Sequence, residues 1–291
     1  MLKKLVQRNQ SRLLVVWNRG LGDIALGLYG VMHRIREFIP HASVTILTRP
    51  HLAEGFALLG GVTVLVEPNW KRGDPLCIQE ALAKHQLTPS MFDEILEWID
   101  ITKWLKKQLG TLVPKLHWKD EWDSLSERFG LADGESYIAA QVQTETSAFY
   151  DRERDWPIAH WRALFSRLVM RGQKILLFGL KQTCAFLMDG VIDLRGQTSV
   201  LEMLALLKNR CSALIAPDSG VLSTVYFLDT TFPLKVVSLW GSPQWGVLRQ
   251  QVASPNRQLE HLPLLGEGRE IAQISVEAVY EALVCTTTRT P

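Results

Sequence analysis

Short continuous runs of apolar residues alternate along the chain with longer segments whose apolar residues recur every three or four positions. Residues 13–17 form the first such run, and a helical pattern over residues 24–38, ended by Pro40, follows it. A continuous apolar run between polar residues is typical of a strand buried on both faces. Strands that alternate with helices in this way predict βαβ units and a parallel sheet.

The same rhythm continues through both halves of the chain. Further strands are predicted over residues 44–47, 62–66, 94–98, 137–142, 175–179, 191–194, 213–216 and 236–240. Helices are predicted around Ala81 and Trp104 and over residues 158–170, 201–208 and 275–284. Residues 182–190 are too few for a full crossover helix, and residues 250–272 are polar and poorly periodic, so no regular element is predicted in either segment.

The chain is long enough for two domains, since 291 residues are about twice the usual domain length. The best candidate for a linker is the polar stretch at residues 133–136. We therefore predict an α/β fold of two Rossmann-like lobes, the first over residues 1–133 and the second over residues 134–291. The last helix could close the second lobe or pack back against the first.

The charge composition bears on which partners the protein binds. The 32 basic and 30 acidic residues leave a formal net charge of +2, and nucleic-acid binders usually carry a larger basic excess, so no such partner is expected. The basic start (Lys3, Lys4, Arg8 and Arg12) suggests either contact with an anionic membrane surface or a solvated tail.

The cysteines and the apolar runs bear on location. The four cysteines lie far apart with no CxxC pair, which predicts reduced, mostly buried thiols. The first apolar run is too short for the core of a signal peptide, and none is long enough to span a membrane. These features predict a cytoplasmic protein.

Candidate chemistry lies where strands end, because parallel sheets bind ligands outside the carboxyl ends of their strands. The segment Gly20–Leu21–Gly22–Asp23 joins the first strand to its helix, and glycines there let the backbone approach a ligand closely. It is not the dinucleotide fingerprint, because Ala25 stands where a third glycine is required. Asp23 is therefore either a functional carboxylate or the cap of the following helix.

Three later segments also stand at strand ends or helix starts. Arg152 and Arg154 precede a helix entry and could clamp a diphosphate, or they could belong to a solvated charge run with Trp156 packed on the helix. Asp218, Ser219 and Gly220 end a strand and begin a helix, where they could hold an anion and sugar hydroxyls or serve as an ordinary cap. The segment around Gly241 indicates only a turn.

Other catalytic signatures are missing from the sequence. The seven histidines show neither HxH nor HxxxH spacing, so no metal site is predicted. There is no GxSxG nucleophile elbow and no Walker A loop. No cofactor is expected.

Taken together, six short motifs resemble glycosyltransferase family 9, the heptosyltransferases of lipopolysaccharide core assembly. They stand in the family's order over about residues 12–250: R-x-x-G-D at Arg19–Asp23, R-x-W-P at Arg154–Pro157, F-G at Phe178–Gly179, D-L-x-G-x-T-S-x-x-E at Asp193–Glu202, D-S-G at Asp218–Gly220 and L-W-G at Leu239–Gly241. Each motif is modest, but six in the correct order are specific.

The resemblance implies a GT-B architecture, an acceptor on the first lobe, an ADP-heptose donor on the second, and inverting transfer without a metal. It implies that Asp23 is the general base and that Arg154, where the family usually has lysine, stabilises the departing diphosphate. The implied donor-binding residues are Arg152, Thr146, Gly179, Gln182, Asp218, Ser219, Gly220 and Gly241, and Arg19 and Gly22 lie on the acceptor side. The acceptor would be a glycolipid or glycan.

This chain departs from the family's pattern at several positions. Ser223 replaces a histidine that commonly follows the D-S-G aspartate, and Lys181 and Gln182 stand where an acidic residue often contacts the ribose. The hydroxyl residues expected before the arginine pair are Phe149 and Tyr150, unless the loop is realigned to Thr146 and Ser147. Two alternatives therefore stay open: a relative that transfers another sugar to a different lipid or protein, and a GT-B protein that binds nucleotide or glycan without turnover.

Overall fold

Ten of the twelve strands form two parallel sheets. The computed structural model describes residues 2–7, 11–145, 147, 155–182 and 184–285. In chain order, the strands are β1 Arg12–Trp17, β2 Ser43–Thr48, β3 Val62–Val66, β4 Glu94–Leu96, β5 Leu116–His117, β6 Tyr137–Gln141, β7 Lys174–Phe178, β8 Val191–Asp193, β9 Cys211–Pro217, β10 Leu228–Asp229, β11 Leu234–Trp240 and β12 Leu259–Leu265. The first sheet has the order β3-β2-β1-β4, and the second has the order β12-β11-β9-β6-β7-β8. All neighbouring strands run parallel, which confirms the predicted α/β class.

Helices connect these strands close to where the apolar spacing predicts them. They are α1 Leu2–Gln7, α2 Tyr29–Phe38, α3 Ala53–Ala57, α4 Ile78–Ala83, α5 Ile101–Gln108, α6 Ile158–Met170, α7 Val200–Asn209, α8 Gly220–Tyr226, α9 Gly246–Gln250 and α10 Val276–Val284. In addition, 3-10 segments cover Pro50–Leu52, Pro89–Met91, Asp120–Phe129, Glu267–Arg269 and Ile271–Gln273.

One large apolar core is shared by the two halves. It joins residues of the first sheet, such as Val15 and Ile46, to residues of the second, such as Leu214 and Val236. Smaller clusters cover the outer faces, with α4 behind the first sheet and α6 and α10 behind the second. Both faces of each sheet are thus covered, which is why their strands are continuously apolar in sequence.

The helix predicted over residues 24–38 is interrupted near its start. Ile24–Leu28 forms a π-helical segment with non-helical backbone at Leu26 and Gly27, and α2 begins only at Tyr29. Gly27 has a φ of 122°, and a Cβ on it would lie 2.9 Å from Cγ2 of Ile101. The break therefore depends on close packing against α5, which a local periodicity cannot reveal.

The prediction for residues 250–272 is wrong, because β12 pairs along its whole length with β11 there. β12 is an edge strand with one buried, four part-buried and two exposed positions, so its sequence lacks a continuous apolar run. The prediction for residues 182–190 is confirmed over the residues described there: β7 passes to β8 without a helix. β5 and β10 were too short to be predicted and pair with each other between the two halves of the chain.

The last helix packs on the second lobe. α10 contacts α6, β11 and β12. Trp156 is buried against Trp161 of α6, with the ring centroids 5.1 Å apart, and its Nε1 donates to the Ile274 carbonyl. The packing role considered for Trp156 is therefore confirmed.

The connection between the two sheets lies against the second one. Asp120–Phe129 packs along α7, where Lys208 Nζ donates to both carboxylate oxygens of Asp123 at 2.8 Å. Gln108 at the end of α5 donates from Nε2 to the Ala25 carbonyl and to Oε1 of Gln250 on α9. Polar and apolar contacts therefore bind the two halves together on one side.

The expectations for the cysteines and for the basic start of the chain are met only in part. All four cysteines are free, but Cys77 and Cys285 are exposed, so the expectation that most are buried fails for these two. Arg12 of the basic start donates to Asp93 at 2.9 Å and holds the pKa of that carboxyl well below its usual range. Arg8 and the side chains of Lys3 and Lys4 lie outside the part of the chain that is described.

A buried histidine predicts how stability depends on pH. His261 Nε2 lies 2.6 Å from the Ser238 hydroxyl, which accepts a hydrogen bond from Trp240 Nε1, and burial lowers the pKa of His261 to about 4. Below pH 6.5 the unfolded chain takes up a proton that the folded chain resists, so stability falls as the pH falls. We expect this group to remove about 2 kcal/mol of unfolding free energy between pH 7 and pH 5.

The measurement is denaturant unfolding at both pH values, compared with His261→Gln. The glutamine variant should be less stable at pH 7 but should lose about 2 kcal/mol less than the unaltered protein on acidification. Equal losses in the two proteins would contradict the assignment.

Candidate functional site

A cleft of about 660 Å³ opens between the carboxyl ends of the two sheets. Both halves of the chain contribute to its lining, as expected of ligand sites in parallel sheets. The residues of the first half include Gly20, Leu21, Gly22, Asp23, His51, Glu54, Arg72, Ile101 and Leu105. Those of the second half include Gln141, Thr144, Glu145, Gly179, Thr198, Ser199, Met203, Asp218, Ser219, Gly220, Ser223, Trp245 and Arg249.

Asp23 stands in a tight turn directly after β1. Its backbone N–H donates to the Gly20 carbonyl at 3.2 Å, and its Oδ2 accepts from the Gly20 N–H at 3.0 Å. The side chain makes no capping hydrogen bond to the helix that follows. The carboxylate therefore braces its own turn at the edge of the cleft, and the helix-cap interpretation is wrong.

The turn touches the second lobe with almost no spare room. A Cβ on Gly22 would lie 3.2 Å from the Gly220 Cα, and a Cβ on Gly220 would lie 2.8 Å from the Leu21 Cβ. Glycine at both positions therefore allows the two backbones to meet. This contact brings Asp23 and the Asp218–Gly220 segment to one place in the cleft.

Asp218 directly follows β9 and is buried, with 8% of its surface exposed. A Cβ on Gly246, whose φ is 45°, would lie 2.2 Å from Asp218 Oδ1, so that glycine makes room for the carboxylate. Ser219 caps α8: its hydroxyl accepts from the Leu222 N–H and donates to Gln141 Oε1. The cap considered for this segment is thus made by Ser219, which leaves Asp218 lining the cleft.

Ser223 occupies the position at which the family commonly has histidine. Its hydroxyl donates to the Ser219 carbonyl at 3.0 Å, and a Cβ on Gly22 would lie 3.1 Å from its Oγ. A larger side chain would have to displace the turn that carries Asp23. The departure at Ser223 thus accompanies the close approach of the two lobes.

The other described residues predicted to bind the donor do not all line the cleft. Gly179 lines the cleft beside Arg195, whereas Lys181 and Gln182 are exposed and do not belong to its lining. Gly241 packs against the loop that follows β12, where a Cβ would lie 2.8 Å from the Arg269 carbonyl. The Arg19 carbonyl accepts from Arg49 at 3.1 Å.

Thr146, Arg152 and Arg154 lie outside the described residues, but the residues before and after this segment are described. Asp155 Oδ1 accepts from the Thr144 N–H at 2.9 Å and so ties the segment's end to the cleft wall. Burial raises the pKa of Asp155 even though hydrogen bonds from Thr144 and Ser147 act against the rise.

Sequence reasoning missed a charged cluster in the cleft. Glu145 accepts from Arg49 at 2.7 and 3.0 Å and from Arg72 at 3.1 Å. Burial acts to raise the pKa of Glu145, but the hydrogen bond from Arg49 and the charges of both arginines outweigh it and lower the pKa. Burial and the Arg49 charge lower the pKa of His51. Arg72 follows the end of β3, so the strand-end rule offered a signal for it.

Glu54, in the first half of the chain, also makes a hydrogen bond to the second half. Its Oε2 accepts from the Leu201 N–H at 2.8 Å, at the start of α7, where Ser199 and Glu202 form a capping box. A carboxylate at a helix N-terminus is favoured by the unpaired N–H groups and the helix dipole. Glu54 thus holds the Thr198–Ser199 wall of the cleft against the first lobe.

Two features are absent from the described residues. Over that part of the chain, no group of three or more histidine, cysteine, aspartate or glutamate side chains is arranged to hold a metal ion. No described helix has the length and apolar character needed to cross a membrane.

The model of glycosyltransferase family 9 (heptosyltransferase) matches residues 105–245, just under half of the chain. No curated protein matches significantly.

Solved structures are similar over nearly the whole chain. The ADP-heptose lipopolysaccharide heptosyltransferase II of E. coli aligns with a TM-score of 0.61 at 14% identity, covering 94% of this chain and 97% of that one. A family 9 glycosyltransferase from Veillonella parvula aligns at 0.58 and 17% identity, with 94% and 95% covered. E. coli heptosyltransferase WaaC with ADP aligns at 0.56 and 16% identity, with 94% and 98% covered. At these identities the likeness establishes the fold.

The predicted GT-B architecture is confirmed by these alignments and by the two parallel sheets that face one cleft. The family model independently finds the sequence pattern within residues 105–245, a range that holds five of the six motifs. The predicted resemblance to glycosyltransferase family 9 is therefore confirmed, and the chain is a glycosyltransferase of GT-B fold.

Proposed function

We propose that this protein transfers a heptose or a related sugar from an ADP-sugar to an acceptor of the lipopolysaccharide-core type, with inversion and without a metal. The observation that carries the proposal is the meeting of Asp23 and the Asp218–Gly220 segment in one cleft. A base from one lobe and a sugar-holding carboxylate from the other are what transfer across a cleft requires.

In the proposed reaction an acceptor hydroxyl attacks the anomeric carbon while Asp23 takes its proton. The bond from that carbon to the diphosphate breaks, and its electron pair leaves with the nucleotide diphosphate. Arg154 and Arg152 offset the charge that develops there, which is electrostatic stabilisation of the leaving group. Asp218 holds hydroxyls of the donor sugar.

The proposal divides the chain at residue 133, with the acceptor on residues 1–133 and the donor on residues 134–291. Support for ADP as the nucleotide comes from one protein of the same fold, E. coli heptosyltransferase WaaC, which was solved with ADP and with ADP-2-deoxy-2-fluoro heptose. A cytoplasmic location, peripheral to the inner face of the membrane, belongs to the same proposal, since a glycolipid acceptor would be reached there.

A second candidate is a GT-B protein that binds a nucleotide sugar without turnover. Two observations favour it: Ser223 replaces the family's histidine, and the exposed Lys181 and Gln182 offer no carboxylate to a ribose. Transfer of another sugar to a different acceptor is the alternative within the enzyme class.

The test is a thermal-shift screen of ADP, UDP and GDP sugars, followed by assays of donor hydrolysis and transfer. We expect ADP-sugars to raise the melting temperature, because a ligand at about 100 times its Kd adds about 2.7 kcal/mol of stability. Stabilisation by a donor with no turnover on any acceptor would favour the binding protein. Stabilisation by UDP or GDP sugars alone would overturn the ADP assignment.

Metal removal gives a further expected outcome. If arginines neutralise the departing diphosphate, turnover in excess EDTA should stay within about twofold of the untreated rate, since guanidinium groups provide the charge. Initial rates with and without chelator measure this. A complete loss of activity that magnesium restores would contradict the metal-free mechanism.

A further inference from the structure

Three charged side chains join the two lobes at the cleft, whose lining includes two of them, Arg72 and Glu145. Glu145, which follows β6 of the second lobe, accepts from Arg49 Nη1 at 2.7 Å and from Arg49 Nη2 at 3.0 Å. Arg72 Nη1 donates to the same carboxylate at 3.1 Å. One carboxylate of the second lobe thus binds two arginines of the first.

Both arginines of this contact are largely buried. The Arg49 side chain is 1% exposed and that of Arg72 is 11% exposed, while Glu145 retains 28%. A buried cation needs a counter-charge, because desolvation otherwise costs several kcal/mol. The lowered pKa of Glu145 agrees with a carboxylate held in its charged form.

The same arginines reach the turn that carries Asp23. Arg49 Nη2 also donates to the Arg19 carbonyl at 3.1 Å, immediately before the turn. A Cβ placed on Gly20 would lie 3.4 Å from Asp23 Oδ2 and 3.9 Å from Arg72 Nη2, so both groups stand over the same residue. Glu145 is therefore connected through Arg49 to the backbone of the turn, and through Arg72 to its open side.

The turn's own hydrogen bonds cannot fix where it stands relative to the second lobe. The pair between Gly20 and Asp23 sets its internal shape, and the glycine contact at Gly220 sets how closely it can approach. Its lateral placement needs a directional contact from the other lobe. The bidentate pair of Glu145 with Arg49 has that geometry.

We propose that Glu145 is a positioning residue: through Arg49 and Arg72 it holds the Asp23 turn in register with the donor side of the cleft. The inference rests on the proposed function, because it assigns Glu145 a part in sugar transfer. It predicts an effect on the chemical step, since a displacement of about 1 Å at a reacting group can cost about a hundredfold in rate. In this role Glu145 acts through the two arginines and not by contact with the reacting atoms.

The test is Glu145→Gln, which keeps the size of the side chain and removes its charge. We expect kcat to fall about tenfold to a hundredfold, while the Kd of the donor, measured by calorimetry, changes less than about twofold. Glu145→Asp, which keeps the charge on a shorter stem, should restore kcat to within about fivefold of the unaltered protein. This split and this rescue separate positioning from a general loss of structure.

The matched control is Glu277→Gln. Glu277 also receives two hydrogen bonds from one arginine, Arg167, but the pair lies on the outer face of the second lobe. Its loss should leave kcat and KM within about twofold. If Glu145→Gln does not fold, Arg72→Gln should give the same fall in kcat with unchanged donor affinity.

The experiment distinguishes failure of the positioning role from failure of the proposed function. Normal turnover of Glu145→Gln, or equal falls in kcat and donor affinity without rescue by aspartate, would overturn the positioning role and leave the proposed function standing. No turnover by the unaltered protein with any donor would overturn the proposed function and this inference with it.

Discussion

Replacement of Asp23 by asparagine is expected to lower the rate of sugar transfer by about 10²–10⁴ and to leave donor affinity nearly unchanged. Asparagine keeps the size of the side chain and can still accept from the Gly20 N–H, as Asp23 does at 3.0 Å. It cannot take up the proton of the acceptor hydroxyl. A loss confined to kcat therefore indicates a general base and not a structural group.

The matched control for this change is Asp100→Asn. Asp100 caps α5 by accepting from the Lys103 N–H at 3.1 Å, a role that asparagine fills about as well. Steady-state kinetics and calorimetric donor titration of both variants should show a large loss at Asp23 and none at Asp100. A silent Asp23→Asn in an active protein would remove the base assignment.

Arg154→Ala is expected to weaken donor binding and rate together. A diphosphate contact exists in both the ground state and the transition state, so Kd for the donor should rise about tenfold to a hundredfold, since a hydrogen bond to a charged group contributes about 1.5–3 kcal/mol. The value of kcat/KM should fall by about 10²–10³, because the departing diphosphate gains charge in the transition state.

The structural basis for this second expectation lies in the neighbours of Arg154. Asp155 binds the backbone of Thr144 in the cleft wall, and Trp156 is buried against α6. Arg162→Ala is the matched control, because this exposed arginine follows on α6. Calorimetry and initial rates on both variants make the comparison. A change in rate at Arg154 without a change in donor affinity would contradict a phosphate contact.

Local pattern was sufficient for most of the fold. The strands β1 and β9 lie in sheets that are covered on both faces. They therefore appear in the sequence as continuous apolar runs. The Asp23 turn and the Asp218–Gly220 segment were predictable for a related reason. Each directly follows such a strand, and parallel strands end at the same edge of a sheet.

Elements stabilised mainly by neighbours could not be predicted in this way. β12 is an edge strand whose exposed positions break the apolar run, so only its pairing with β11 defines it. The break at Gly27 follows from its packing against Ile101, which is distant in sequence. Both the strand pairing and the glycine packing involve residues far apart in sequence, so local pattern does not predict them.

By itself the sequence determined the parallel α/β class, the order of the motifs and the residues at the strand ends, because these depend on burial and local turn chemistry. The tertiary structure alone decided that Asp23 braces its turn instead of capping a helix, that Gly22 meets Gly220, and that Glu145 binds Arg49 and Arg72. Asp23 and Gly20 are only three residues apart, but the group that the carboxylate reaches depends on the conformation of the turn. The other two contacts depend on how closely groups far apart along the chain approach one another, and directional hydrogen bonds and steric contact act only at such short range.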